Sequence, residues 1–174
     1  MHYIDTHCHL NFPEFDNDRE EVVAEVIKEG IVAIINPGSS VEKSESAVLL
    51  SEKYPSVYSA VGIHPLDVKG VSLSDISEIE KLAKREKVVG IGETGLDFYY
   101  GRETEAKQKD FFIAHIDIAG RLNLPLIVHQ RQSRDEVIDI CEKYKLPEKV
   151  VFHCFGGDKV MAEYCIKRGF YISF

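Results

Sequence analysis

No stretch of the 174 residues holds the roughly 18 consecutive apolar side chains that a helix needs to cross a bilayer. The opening residues, Met1-His2-Tyr3-Ile4-Asp5, also lack the basic and apolar regions of a secretory signal. The expectation is therefore no membrane association, no secretion and a cytoplasmic location. Positive charge is scarce too: 21 Lys and Arg stand against 29 Asp and Glu, a formal charge of -8. No global positive field would draw the chain to a polyanion, so such a ligand has to be held locally by metal ions or a few placed cations. The four cysteines, Cys8, Cys141, Cys154 and Cys165, form no CxxC pair and no compact spacing, which predicts free thiols in a reducing compartment. No linker, short repeat or low-complexity stretch divides the chain. A composition of 44% hydrophobic and 29% charged residues is that of one ordinary globular domain.

What is present is an alternation. Short β-branched runs recur, each followed by a turn signal and a stretch of helical period, the mark of repeated βα units. The predicted strands are Tyr3 to His9, Ile31 to Asn36, Val57 to Ile63, Val88 to Gly92, Leu126 to His129, Val150 to Cys154 and Phe170 to Phe174. Between the first two, Asn17 is read as an N-cap with Glu20 three residues on, and Gly30 as the stop. Further helices are predicted over Val41 to Lys53, Asp75 to Glu86, Thr104 to Leu122, Ser133 to Lys143 and Lys159 to Arg168. Each helix returns the chain to the same edge, so the strands pair in parallel, in an open doubly wound sheet or an eight-stranded barrel. Gly92 to Glu103 reads as the longest loop, a candidate for function.

The chemistry collects at strand ends. His7 and His9, two apart on the first strand, would share a face about 6 to 7 Å apart, a span one ion can bridge. Glu93, His129 and His153 each follow or end another strand. In a parallel α/β fold that carboxyl rim is where sites form, and in a barrel the ends converge on one mouth. Four imidazoles and a carboxylate suit Zn, Mn, Fe or, less readily, Mg, and outnumber the protein ligands one ion usually takes. Two divalent ions are therefore expected, bridged by Glu93, and together they would lower the pKa of a bound water. His64, closing Gly62-Ile63-His64-Pro65, faces the same mouth and would contact or protonate the scissile group, or bond to its loop. Asp97 would orient a ligand, touch substrate or only tie down the glycine-rich loop, and Arg131 is placed for a phosphate. Asp5 reads as a buried, hydrogen-bonded carboxylate, Arg134 as a solvated charge, and His2 and His115 as unremarkable.

The strings IDTHCHL at 4 to 10, GIHP at 62 to 65, GETGLDFYY at 92 to 100, LNLPLIVHQR at 122 to 131 and VFHCFGG at 151 to 157 resemble the TatD-like metal-dependent hydrolases, generally described as deoxyribonucleases. The resemblance implies an α/β fold, a TIM (β/α)8 barrel of the amidohydrolase superfamily. It also implies a divalent metal pair (Mg, Mn or Zn) on His7, His9, Glu93, His129 and His153, and an exonuclease-like cut in DNA, single-stranded or at ends. Two departures stand out. His129-Gln130-Arg131-Gln132-Ser133 replaces the family's HxRDA-like string, and the family's aspartate on an eighth strand lies beyond Phe174. Because a TIM barrel typically takes about 250 residues, the expectation is a domain over residues 1–174 truncated after the seventh strand, poorly stable and weakly active on its own. Two competing readings keep the fold. One is a metal-dependent amidohydrolase or esterase, such as an aminoacyl-tRNA deacylase, and the other is an inactive fragment.

Overall fold

In the computed structural model, which describes residues 1–174, seven strands lie side by side in chain order: β1 (Tyr3–Asp5), β2 (Ile31–Pro37), β3 (Val57–Val61), β4 (Val88–Asp97), β5 (Leu126–Arg131), β6 (Val150–Phe152) and β7 (Tyr171–Ile172). Every neighbouring pair is parallel. The crossovers carry α1 (Arg19–Lys28), α2 (Val41–Lys53), α3 (Ile76–Leu82), α4 (Glu105–Leu122), α5 (Arg134–Lys143) and α6 (Lys159–Arg168). The result is the α/β alternation expected, curled as a TIM barrel is. β1 and β7 do not pair with each other, so each keeps one open edge.

Local chemistry explains the element ends. Ser40 accepts the Lys43 N–H at the start of α2, and Asp158 accepts that of Met161 at the start of α6, each meeting one orphan donor of a first turn. The stops are left-handed residues, Asn123 after α4 and Gly169 after α6. α1 begins at Arg19 with Asp18 at the cap, not at Asn17. The segment before it is spent in a 3-10 turn over Pro13–Phe15, and the Arg19 guanidinium pins that turn by donating to the Leu10 and Phe12 carbonyls.

The main core lies between the sheet and its outer helices, where Val61, Ile91 and Val128 meet Phe111, Phe112 and Ile116 of α4. The opposite, concave face is thinner. Ile35, Ile127 and Val151 line a groove of about 750 Å³ that runs between the open edges, with Ile4 and Ile172 at its rims. All four cysteines are free thiols. No helix is long and apolar enough to cross a membrane.

Two corrections bear on the site. β1 stops at Asp5, because the Asp5 carboxylate accepts the His7 N–H at 3.0 Å and bends the chain out of the ladder. β4 does not end at Gly92 but continues to Asp97, so the expected loop is half strand. The continuation depends on Gly92 and Gly95, with φ of +140° and +137°. A Cβ at these positions would stand 2.5 Å from the Ile127 carbonyl oxygen and 2.0 Å from that of His129, so only glycine lets β4 run this close to β5.

Candidate metal and active site

Four segments that follow or end a strand, and β4 between them, meet at the carboxyl rim. His7 and His9 come from the irregular segment after β1, His64 from just beyond β3, His129 from β5 and His153 from just beyond β6. Glu93 stands among them on β4, nearly buried. Its two oxygens face different groups. Oε2 lies 3.4 Å from His7 Nε2, whereas Oε1 lies 3.1 Å from His129 Nδ1 and 3.9 Å from His64 Nε2. Two sets of donors therefore share one carboxylate: His7, His9 and Glu93 in one, His64, Glu93 and His129 in the other, with the atoms of each set within 4.8 Å of one another.

Instead of lying along one strand face at the expected 6 to 7 Å, the His7 and His9 rings meet edge to face, centroids 4.9 Å apart, with their Nε2 atoms 3.2 Å apart. His153 belongs to neither set. Its ring stacks flat on His7 at 3.3 Å, and its Nδ1 faces Ser173 Oγ at 3.4 Å.

The rings are oriented from behind. His129 gives Nε2–H to Asp97 Oδ2 at 2.9 Å, which turns its Nδ1 to Glu93, and His9 gives Nδ1–H to the Pro37 carbonyl at 3.3 Å, which turns its Nε2 to His7. A histidine held through one nitrogen by an oxygen can offer its other nitrogen, once that is deprotonated, as a lone pair to a metal ion. The donor set fits a divalent cation on this ground. His64 differs. Its Nδ1 accepts the Leu66 N–H at 3.2 Å, so the neutral ring carries its proton on Nε2, the nitrogen turned to Glu93, and presents a donor rather than a lone pair. Asp97, whose side chain is 1% exposed, is held by His129 and the Tyr99 N–H and has no face open to solvent. One of its oxygens faces the His129 ring and the other holds the loop at the Tyr99 N–H. Arg131 is exposed at the end of β5, and Asp5 is half-buried.

These contacts set the charges. Burial would raise the Glu93 carboxyl, but hydrogen bonds from His129 and His7 outweigh it and hold the group far below the usual carboxylate range. Burial would likewise lower His129, yet Glu93 and Asp97 raise it above the usual histidine value. Burial, with His129 alongside, lowers His64 to about 4, and burial beside His7 does the same to His153. Both are neutral at pH 7.

Two buried groups behind the site escaped the sequence reading. Gln108 of α4 clamps the Asp97 backbone, accepting its N–H at 2.8 Å and donating to its carbonyl at 3.0 Å. His115, fully buried on the same helix, accepts the Ile63 N–H at 3.0 Å and gives Nδ1–H to the Phe111 carbonyl at 2.7 Å, fixing the segment just after β3, before His64. The available signal was that His115 falls four residues after Phe111, on the buried face of α4.

A family profile described as TatD related DNase matches residues 4–174. The chain belongs to the TatD family. An uncharacterized metal-dependent hydrolase, YabD, of Bacillus subtilis (strain 168) is 37% identical over 172 residues, 98% of this chain and 67% of the relative. A protein of Shigella flexneri named 3'-5' ssDNA/RNA exonuclease TatD is 34% identical over 171 residues, 97% of this chain and 65% of its own length. The crystal structure of YJJV, a TatD homolog from Escherichia coli K12, superposes with a TM-score of 0.90 at 31% identity, over 98% of this chain and 66% of that one. This TatD chain thus spans about two thirds of the length of the relatives it matches.

Proposed function

We propose that this chain holds two divalent cations on either side of Glu93 and cleaves phosphodiester bonds of single-stranded nucleic acid, DNA foremost. The observation that carries the reading is the division of the Glu93 oxygens, one toward His7 and His9, the other toward His129. A carboxylate kept fully ionised between two such groups is suited to bridging two ions. His153 is the fifth ligand candidate, since its Nε2 has no protein partner. When bound, the ions, Mg, Mn or Zn, would supply Lewis-acid stabilisation of charge growing on the phosphoryl oxygens.

The remaining roles fall to the protein. Asp97 fixes the His129 ring so that Nδ1 faces the centre, and Gln108 holds Asp97 in turn. His64 offers Nε2–H to the scissile phosphate or to the oxygen that leaves it. Arg131 balances phosphate charge in a protein whose net charge would otherwise repel it. The similarity to the Shigella protein named an ssDNA/RNA exonuclease supports the choice of nucleic acid over an acyl substrate.

Glu93→Gln keeps the side-chain volume and removes the anion between the two groups. The expected result is an unchanged circular dichroism spectrum, a fall from two bound metal equivalents toward one or none, and loss of hydrolysis of a single-stranded oligonucleotide. Full metal occupancy and full activity in this variant would end the proposal. An acyl ester assayed alongside separates the amidohydrolase reading: turnover of the ester with none of the oligonucleotide would favour it.

A further inference from the structure

Seven arginines occur in the sequence, and six pair with a carboxylate. Arg131 makes no ion pair at all, although 29 acidic residues are available in the chain. Its guanidinium lies instead over the ring of Tyr99, 3.6 Å from the centroid, and 5.8 Å from that of Tyr100. The two tyrosine rings meet at right angles with centroids 4.8 Å apart. Large aromatic side chains are normally put away, yet Tyr99 is 49% and Tyr100 70% exposed. An exposed pair of rings with an unneutralised cation against it is an unusual investment for an acidic surface.

The cluster is also built rigidly into the site. Arg131 sits two residues beyond His129 on β5, a rise of about 7 Å, and its residue pairs with Asp97 in the ladder. The Arg131 carbonyl accepts the Phe98 N–H at 2.9 Å, and the Asp97 carboxylate that orients His129 also accepts the Tyr99 N–H at 2.9 Å. One carboxylate therefore positions a candidate metal ligand on one side and the first tyrosine on the other.

We propose that Tyr99, Tyr100 and Arg131 form a stacking platform for a nucleobase of single-stranded nucleic acid, one nucleotide from the phosphodiester held at Glu93 and His129. This rests on the phosphodiesterase reading above and gives it a base-contacting subsite. A planar base has a π-face whatever its identity, so aromatic rings bind it without sequence preference, and a guanidinium adds cation–π attraction while neutralising the adjoining phosphate. A duplex keeps its bases stacked on one another, so such a platform takes an unpaired strand or a frayed end.

The test uses two labelled probes with non-hydrolysable phosphorothioate linkages, an oligothymidylate and the same strand with abasic residues, and reads binding to the full chain by fluorescence anisotropy. The native chain is expected to bind the strand with bases about tenfold more tightly. Tyr100→Leu should erase that preference, and Tyr100→Phe should keep it. Equal binding of both strands by the native chain, or an equal weakening of both in Tyr100→Leu, would overturn the platform. Hydrolysis of bis-p-nitrophenyl phosphate by the manganese-loaded native chain needs no base and reads the parent proposal separately. Hydrolysis together with equal binding of the two strands removes the platform and leaves the phosphodiesterase, whereas neither hydrolysis nor binding removes both.

Discussion

Exchanging the Asp97 carboxylate for an amide keeps its size but takes away the anion that receives Nε2–H from His129. The ring then loses both its orientation and part of its basicity as a ligand, though Asp97 itself would touch no ion. Asp97→Asn is expected to weaken divalent-metal binding by about tenfold or more, read by competition with a chromophoric chelator, with little change in the circular dichroism spectrum. Unchanged affinity would show that His129 is held well enough by β5 alone. At this scale the sequence was informative about identity and vague about posture. The places of His129 and His153 at the carboxyl rim were legible because they follow apolar runs, whereas Glu93, expected just after a strand, lies within β4. That His153 stacks on His7, or that His64 has its proton on the nitrogen facing Glu93, depends on contacts no spacing encodes.

At the scale of elements, α4 does more than cover the sheet. Through His115 it grips the segment just after β3, and through Gln108 the end of β4. Burial drives the His115 imidazole from its ordinary value of 6.5 down to about 4, so in the fold it stays neutral where the unfolded chain would be protonated. The group thus favours the fold in full above its unfolded value, and this contribution is lost as the pH falls from about 6.5 toward 4, by about 3 kcal/mol in all. Urea melts of the native chain and His115→Gln over that window are expected to show a flatter pH dependence in the variant, along with lower stability at pH 7 from the altered hydrogen bonding. Parallel curves would mean that His115 does not titrate as its burial requires. β4 is where the prediction from sequence failed most clearly. Gly92 and Gly95 read as loop punctuation, since glycine in a strand is ordinarily a weakness. Here they allow the backbone of β4 to approach that of β5 too closely for any side chain, and so extend the strand through Glu93 to Asp97.

Across residues 1–174 the sheet is curled, and β1 and β7 each leave one edge unpaired. Ile4 at 59% and Tyr171 at 58% exposure stand beside unpaired strand backbone, over the apolar groove of about 750 Å³. Such edges are templates for pairing with another chain, opposed here by a formal charge of -8. Sedimentation velocity of the 174-residue polypeptide is expected to show association that grows with protein concentration and with salt, as screening removes the repulsion. Ile4→Lys, a charge placed on the edge, should reduce it. A single monomeric species at all concentrations in high salt would refute this.

Composition, hydrophobic period and turn residues were enough to establish the βα alternation, the parallel pairing, five of the helices nearly to their ends and the carboxyl rim as the meeting place of the imidazoles, because each of these is local or follows from chirality and connection length. Which nitrogen faces inward, how Glu93 divides its oxygens, and why Arg131 lies on tyrosine rather than on a carboxylate were settled only by packing. Those outcomes depend on distances between segments tens of residues apart, and a one-dimensional pattern carries no record of such distances until the strands are laid side by side.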